Sequence, residues 1–325
     1  MKDELETIVV TGGAGFIGSN TVKRLCSMQH IVEDGLRILV VDLHTRQSIN
    51  ELYKHCGREV LMILNVDVSR FEMLWDRISR LVVPGATGII HLAAVVGVTE
   101  VRGNPVQGYT SNVEGTFSVL ELARRIDAAR FVYASSAAVY GEPRYVPIDE
   151  DHPKDPVNLY GATKLAGEAL VQGYARDYGL STVVLRYFNV YGPGMKPGPY
   201  AGVVYKFIEA LLERRQPIIY GDGKQTRDFV YVEDVAEANI KALQQHVNGV
   251  YNIGSGRETS ILELYRIICN IIGYCPKPRH YPPRPSDVRR SVASIEKAER
   301  ELGWRPSVTL EKGLMETINY YARRL

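Results

Sequence analysis

No apolar run in the 325-residue sequence approaches the roughly 18 residues that a membrane-spanning helix needs. The formal net charge is only +2, and lysine and arginine are scattered with no basic block. That excludes an electrostatic footprint for nucleic acid or an anionic membrane surface. The start, MKDELETIVV, is acidic and reads as the lead-in to a strand rather than as a signal peptide. Cysteine is scarce: Cys26, Cys56, Cys269 and Cys275 are too few for a disulfide framework in a chain this long. No CxxC occurs and His55-Cys56 stands alone, so no metal site is expected. Reduced thiols in a cytoplasm are the expectation, although Cys269 and Cys275 are close enough in sequence to pair. No repeat, low-complexity tract or flexible linker interrupts the chain.

What the sequence does hold begins at residue 8. Ile8-Val9-Val10 is a short apolar run of the kind that forms a buried parallel strand. Thr11-Gly12-Gly13-Ala14-Gly15-Phe16-Ile17-Gly18 follows at once, then a helical stretch over Ser19 to Met28 and a second strand, Ile38 to Val41, ending at Asp42. Strand, glycine turn, helix, strand and acid make a βαβ dinucleotide fingerprint. Gly12 permits the tight turn, Gly15 a close approach of backbone to pyrophosphate, and Gly18 close packing of helix on strand. The helix N-terminus offers unpaired N–H groups to the phosphates. Asp42 would accept hydrogen bonds from ribose hydroxyls and repel a 2′-phosphate, favouring NAD over NADP.

Strands and helices go on alternating. Val60 to Val66, Gly88 to Leu92, Phe131 to Ala134 and Thr182 to Leu185 read as strands; Phe71 to Leu81, Val106 to Arg125 and the run from Tyr160 read as helices. This order predicts an α/β fold with a Rossmann-type doubly wound parallel sheet. Asp42, Asp67, Ala93, Ala94 and Ser136 lie at carboxyl ends of strands, where such sheets bind ligands. His91, inside an apolar strand, reads as a packed histidine. Proline and glycine then open a loop over Tyr191 to Tyr200. A helix over Ala201 to Arg214, a strand at Ile218 to Tyr220, a capped helix from Ser260 and a proline-rich stretch from Pro276 follow. They predict a smaller α/β C-terminal lobe. The expected division is 1–187 plus about 230–256 for the cofactor domain, and 188–229 plus 257–325 for the substrate lobe.

Tyr160-Gly161-Ala162-Thr163-Lys164 opens a run that reads as a helix. Positions i and i+4 share a face, so the phenol and the ammonium are neighbours. A neighbouring cation favours the phenolate, so the Tyr160 pKa is expected to fall from about 10 toward neutrality, making it a base for a hydroxyl proton. Alone, the five residues better describe an ordinary surface helix. A nucleotide site upstream gives them something to react with.

The strand followed by TGGAGFIG, then Asp42, SSAAVYG, YGATK and RYFNVYGPG, in that order, resembles the extended short-chain dehydrogenase/reductase family. The likeness is to the branch of nucleotide-sugar epimerases that act at C4 of UDP-glucose and UDP-galactose. It implies bound NAD as cofactor and a UDP-sugar as substrate, oxidised to a 4-keto sugar and reduced on the other face. It implies Tyr160 as acid/base, Lys164 as its partner on the nicotinamide ribose, and Ser136 on the 4-oxygen. Phe16, Ile17, Asp67, Val68, Leu92, Ala93, Asn112, Ser135 and Phe188 match cofactor-contact positions. Asn189, Val203, Tyr220, Arg227, Arg284, Asp287 and Ser291 match substrate positions. Tyr220 stacks the uracil, the two arginines face the diphosphate, and Ser291 lies beside the sugar C2 substituent. A homodimer joined through the helices near 106–125 and 160–178 is implied too, and Phe117, Val119, Leu120, Tyr174 and Tyr178 exceed what one buried stripe requires.

Two departures narrow the expectation. Ala137 and Ala138 stand where sugar 4,6-dehydratases of the family carry an Asp-Glu pair, and dehydration needs an extra acid and base. The decarboxylase relatives also carry an acid there, so Ala138 weighs against decarboxylation. Val95 to Glu100 lacks a lysine that some 4-epimerases carry. A serine at 291 could instead cap a helix beginning near Ala293.

Overall fold

In the computed structural model, residues 5–28, 35–43, 48–195, 198, 201–284 and 288–324 are described. Thr7–Thr11 (β1) is buried along its whole length, as an apolar strand covered on both faces must be. Beside it run β2 (Arg37–Asp42), β3 (Leu61–Asn65), β4 (Thr87–His91), β5 (Arg130–Ser136), β6 (Thr182–Tyr187) and an edge strand Gly249–Ile253. The order is Gly249–Ile253, β6, β5, β4, β1, β2, β3, every pair parallel. This is the doubly wound sheet of the Rossmann type. The direction of winding reverses between β1 and β4, so a crevice opens there at their carboxyl ends.

Alternation along each strand divides the core into two layers. Ile8, Val10, Ile38, Val40 and Ile90 pack on one face against Val22 and Leu25 of α1 (Phe16–Cys26) and against the helix Val232–Gln244. Val9, Leu39, Val41, Ile89 and Phe131 pack on the other against the helices Phe71–Ile78, Gly115–Arg125 and Leu159–Tyr178. Val119 and Leu120 belong to this second layer and are fully buried, so they are not the surplus apolar surface expected of them. A third cluster, with Phe207, Ile219, Leu264, Ile268 and Leu314, forms the core of the smaller lobe.

Several elements differ from expectation. α1 starts at Phe16, three residues before the predicted Ser19, because the glycines lead directly into helical backbone. The helix Ser48–Cys56 went unanticipated. The predicted helix over 106–125 is broken by a π turn at Thr110–Glu114, a feature common at functional sites. The last helical turn before Trp304 ends at Gly303, whose φ of +60° suits glycine. Trp304 is fully buried against the sheet layer that holds Val235 and donates its indole N–H to the Asp234 carbonyl at 2.8 Å.

The expectation of four reduced thiols is corrected. Cys26 and Cys56 form a disulfide, with Cα atoms 5.3 Å apart. The helices that end at these residues pack together, which brings two cysteines 30 positions apart into bridging range. Sequence spacing could not show it, because the second helix was not anticipated. Cys269 and Cys275 are free thiols.

Candidate active site

The glycine turn lies in the crevice between β1 and β4. Gly12 has φ +68°, and a Cβ there would lie 2.7 Å from the Ala93 nitrogen. A Cβ on Gly18 would lie 2.1 Å from the Gly12 carbonyl oxygen. Both positions therefore admit only glycine, and the backbones of the two strand ends touch. Gly15 precedes α1, and no side chain caps that helix, so the first-turn N–H groups face the crevice. Asp42, at the tip of β2, accepts a hydrogen bond from the Ala14 N–H at 3.0 Å, which ties the acid to the glycine turn. A carboxylate accepts several hydrogen bonds at once, so this one is compatible with ribose recognition. An uncapped helix, a turn with no room for side chains and an acid at the next strand end fit a dinucleotide.

Other predicted contacts are distributed unevenly. Leu92, Ala93 and Ala94 follow β4 directly, beside Gly12. Phe16 and Ile17 open α1. Asp67 accepts from the Ser69 N–H and hydroxyl at 3.0 and 2.7 Å, so one of its oxygens shapes the turn after β3, with Val68 buried beneath. Asn112 lies in the π turn and is wholly buried. Its amide spans the Val95 backbone, at 2.8 and 3.0 Å, and the Thr163 hydroxyl, at 3.0 Å. It thereby ties the loop after β4 to the helix that carries Tyr160. Ser135 is buried and donates to Glu168 at 2.5 Å.

The helix Leu159–Tyr178 is capped by Asn158, whose side chain accepts from the Gly161 N–H at 2.9 Å. Gly161 and Gly167 let it lie close: Cβ atoms there would meet the Ala138 carbonyl oxygen at 2.4 Å and the Tyr133 hydroxyl at 2.0 Å. Tyr160 thereby faces the turn that carries Ser136. The expected fall of the Tyr160 pKa is corrected: burial raises it above the ordinary value, and the Ser136 hydroxyl offsets only part of that. Lys164 aims its Nζ at the Ala134 carbonyl, at 2.9 Å, rather than at the phenol. Burial lowers its own pKa to about 8, against the pull of Glu168. His91 is the packed histidine expected, bridging the Thr11 and Thr116 hydroxyls at 2.7 and 3.1 Å.

The positions predicted for the substrate fall into separate groups of contacts. Val139, Tyr140, Ile148, Phe188 and Ala293 form one small buried cluster, which joins the turn after β5 to both halves of the smaller lobe. Asn189 begins a short strand, paired to Phe229–Tyr231, and its N–H donates to the Asp228 carbonyl at 2.9 Å. Asp228 is fully buried and accepts from Ser255, Gly256 and Ala293. That carboxylate ties the loop after Ile253 and the segment after Ser291 to the backbone that follows Arg227. Arg227 donates to the Thr226 and Val288 carbonyls at 2.6 and 2.7 Å. The Arg284 guanidinium lies over the Tyr220 ring, 3.9 Å from its centroid. Val203 opens a helix whose Lys206 feels both Arg284 and Tyr220; burial, then the Arg284 charge, lower its pKa. Lys206 was missed in the sequence because a lone lysine in a helical pattern carries no motif. Asp287 lies outside the described residues. Ser291 is buried, and Ala293 bridges Ile148 instead of starting a helix, so the capping role is set aside.

Among the described residues no helix is long and apolar enough to cross a membrane. The NAD dependent epimerase/dehydratase family matches residues 8–254. A putative UDP-glucose 4-epimerase of Methanocaldococcus jannaschii is 41% identical over 96% of this chain and 97% of its own. The structure of a UDP-glucose 4-epimerase with UDP-glucose from Thermotoga maritima superposes with a TM-score of 0.89 at 36% identity, over 98% of this chain and 99% of that one. A UDP-N-acetylglucosamine 4-epimerase from Methanobrevibacter ruminantium, in complex with UDP-N-acetylmuramic acid, gives 0.89 at 30% identity over 99% and 100%. With the fold, the glycine cradle and the Tyr160–Lys164 pair in place, these matches show that the chain is an NAD-dependent enzyme of the NAD dependent epimerase/dehydratase family.

Proposed function

We propose that the protein epimerises a UDP-hexose at C4, interconverting UDP-glucose and UDP-galactose through a 4-keto sugar. The observation that carries this reading is the meeting of Tyr160, Ser136 and Lys164 at the end of β5, one strand from the glycine cradle. Bound NAD supplies the hydride acceptor and donor for C4 and, when oxidised, a cation that favours a phenolate. Tyr160 takes the proton of the 4-hydroxyl and later returns it. Ser136 holds the 4-oxygen, and Lys164, one turn along the same helix, takes the nicotinamide ribose. Gly12, Gly15 and the first turn of α1, with Phe16, Ile17 and Gly18, hold the pyrophosphate. Asp42 takes the adenosine ribose. Arg227, Arg284 and Lys206 put three cations round the substrate diphosphate, guanidinium being suited to bidentate pairing with phosphate oxygens. Tyr220 offers its ring to the uracil once Arg284 turns to the phosphates. In this division of labour, residues 1–187 and about 230–256 bind NAD, and 188–229 with 257–325 bind the nucleotide sugar.

The alanines after Ser136 separate this from the neighbouring chemistries. Ala137 and Ala138 form a short 3-10 turn and offer no acid or base for elimination or for handling a C5 carboxylate. A UDP-glucuronate 4-epimerase is the remaining relative reading, and the substrate panel separates the two. Purified protein given UDP-galactose should form UDP-glucose with no net NADH. Accumulating NADH, or turnover confined to UDP-glucuronate, would overturn the assignment.

Asp42→Ala should relax discrimination against NADP, because the repulsion toward a 2′-phosphate disappears. Cofactor affinities of the wild type and the variant check this; a wild type that already prefers NADP refutes the role.

A homodimer follows from the same helices. Val106, Tyr109, Phe117 and Tyr178 are 74%, 52%, 47% and 59% exposed, and Phe117 and Tyr174 stack edge-on. This is more apolar surface than a monomer's helices leave to water. Light scattering at micromolar concentration should give twice the chain's 36.4 kDa.

A further inference from the structure

Three consecutive residues at the end of β5 meet three residues spaced one turn apart on the helix Leu159–Tyr178. The Ser136 hydroxyl lies beside the phenol of Tyr160. The Ala134 carbonyl accepts from Lys164 at 2.9 Å. The Ser135 hydroxyl donates to Glu168 at 2.5 Å. Tyr160, Lys164 and Glu168 are successive i+4 neighbours on one face. The first two are the proposed chemistry; the third has no assigned part in it.

Behind Glu168 stands Arg186 of β6. Both side chains are 1% exposed, and the guanidinium donates to the two carboxylate oxygens at 2.9 and 2.7 Å. Arg186 pairs in register with Ser135 on one side and Asn252 on the other. It also donates to the Tyr140 hydroxyl at 2.8 Å and the Glu150 carbonyl at 3.1 Å. Taking such a pair out of water costs about as much as its attraction returns, so stability alone is a weak reason for it. What lies against it is the lysine of the site.

We propose that Glu168 is a positioning residue of the reaction: backed by Arg186, its carboxylate keeps Lys164 an ammonium at the end of β5 and locks Ser135 and Ser136 against the helix. The proposal rests on the roles given above to Tyr160 and Lys164.

The groups around Lys164 leave Glu168 this task alone. On its own helix the neighbours are Tyr160 and Glu168. From β5 comes Tyr133, its ring centroid 5.2 Å from Nζ, with a pKa raised by burial. From β4 comes His91, pushed down to about 3 by burial and then by the lysine itself, hence neutral. From β6 come Arg186, a cation, and Tyr187, again raised by burial and neutral. Only Glu168 among them carries a carboxyl group, and it is ion-paired with Arg186. Burial has already brought Lys164 to about 8, with Glu168 opposing the fall. The ammonium is present below that pKa and lost above it. Removing the carboxylate must therefore move the loss to lower pH, and removing Arg186 must not.

The test uses the NAD-bound protein with 13Cε-labelled lysine, wild type against Glu168→Gln and Arg186→Met. NMR titration reads Lys164, and the pH profile of kcat on UDP-galactose reads the chemistry. In Glu168→Gln, the Lys164 pKa and the alkaline limb of kcat should both fall by about one unit. In Arg186→Met neither should fall. A merely structural pair would lower kcat in both variants without separating their limbs, and that result overturns the proposal. So does a Lys164 that titrates in Glu168→Gln as in the wild type. If Glu168→Gln alone does not fold, the double variant Glu168→Gln/Arg186→Met leaves no orphaned charge. Its Lys164 must titrate below that of Arg186→Met. Titration needs no substrate, so a wild type inactive on every UDP-sugar would refute the functional reading without deciding how Glu168 holds Lys164.

Discussion

Tyr160→Phe should lose between about 10² and 10⁴ of turnover, the usual worth of a general acid–base group. The variant deletes one oxygen and almost no volume. The helix around it is fixed independently by the Asn158 cap and by the close approaches at Gly161 and Gly167, so the fold should not change. The NAD cradle is built from other elements, β1, β4 and α1, and should bind cofactor as before. The phenol is partly buried, and that burial holds its pKa above the ordinary tyrosine value. The measurement is kcat on UDP-galactose beside the NAD content of the purified variant. Near-wild-type turnover with NAD retained would remove Tyr160 from the reaction.

The raised pKa also marks where sequence reasoning reached its limit. The i+4 spacing correctly put Tyr160 and Lys164 on one face. It could not show that the ammonium points at the Ala134 carbonyl, since that depends on where β5 ends relative to the helix. Desolvation is likewise a tertiary quantity: it appears only when β4, β5 and β6 close round the two residues. The central sheet, by contrast, was legible because each strand is a local run of apolar residues and each crossover a local helix. The glycine cradle was legible because steric demands on backbone name their residue. Glu168, Arg186 and Asp228 carry no such local signature. Each is a charged residue in a segment that reads as an ordinary helix, strand or turn, and only burial reveals that its partners lie 18 or more positions away. Lys206 was missed for the same reason. The disulfide was hidden differently, behind a helix, Ser48–Cys56, whose polar sequence has few apolar positions to betray it.

Ser291→Tyr should abolish turnover of UDP-N-acetylglucosamine and UDP-N-acetylgalactosamine while sparing UDP-glucose and UDP-galactose. The wild type is expected to accept both classes. Ser291 is buried, two residues before Ala293, whose N–H is held by Asp228 at 3.0 Å and which packs with Phe188 and Val139. That cluster follows directly on Ser136, so the backbone at 291 is anchored next to the turn that carries the residue proposed to hold the 4-oxygen. The anchoring bears on the size of the effect. A wall that could retreat would yield to a larger substrate, whereas a segment tied to a buried carboxylate and bridged to Ile148 cannot move far. On the placement that the family resemblance implies for Ser291, a serine leaves space beside C2 and a tyrosine fills it. Filling a pocket rejects the larger ligand outright, whereas an emptied pocket gains the smaller one little affinity. The expected change is therefore one-sided. Rates on all four sugars, for wild type and variant, measure it. Equal losses on both classes would make Ser291 a structural residue, and a wild type inactive on the N-acetyl sugars would refute the role in selectivity.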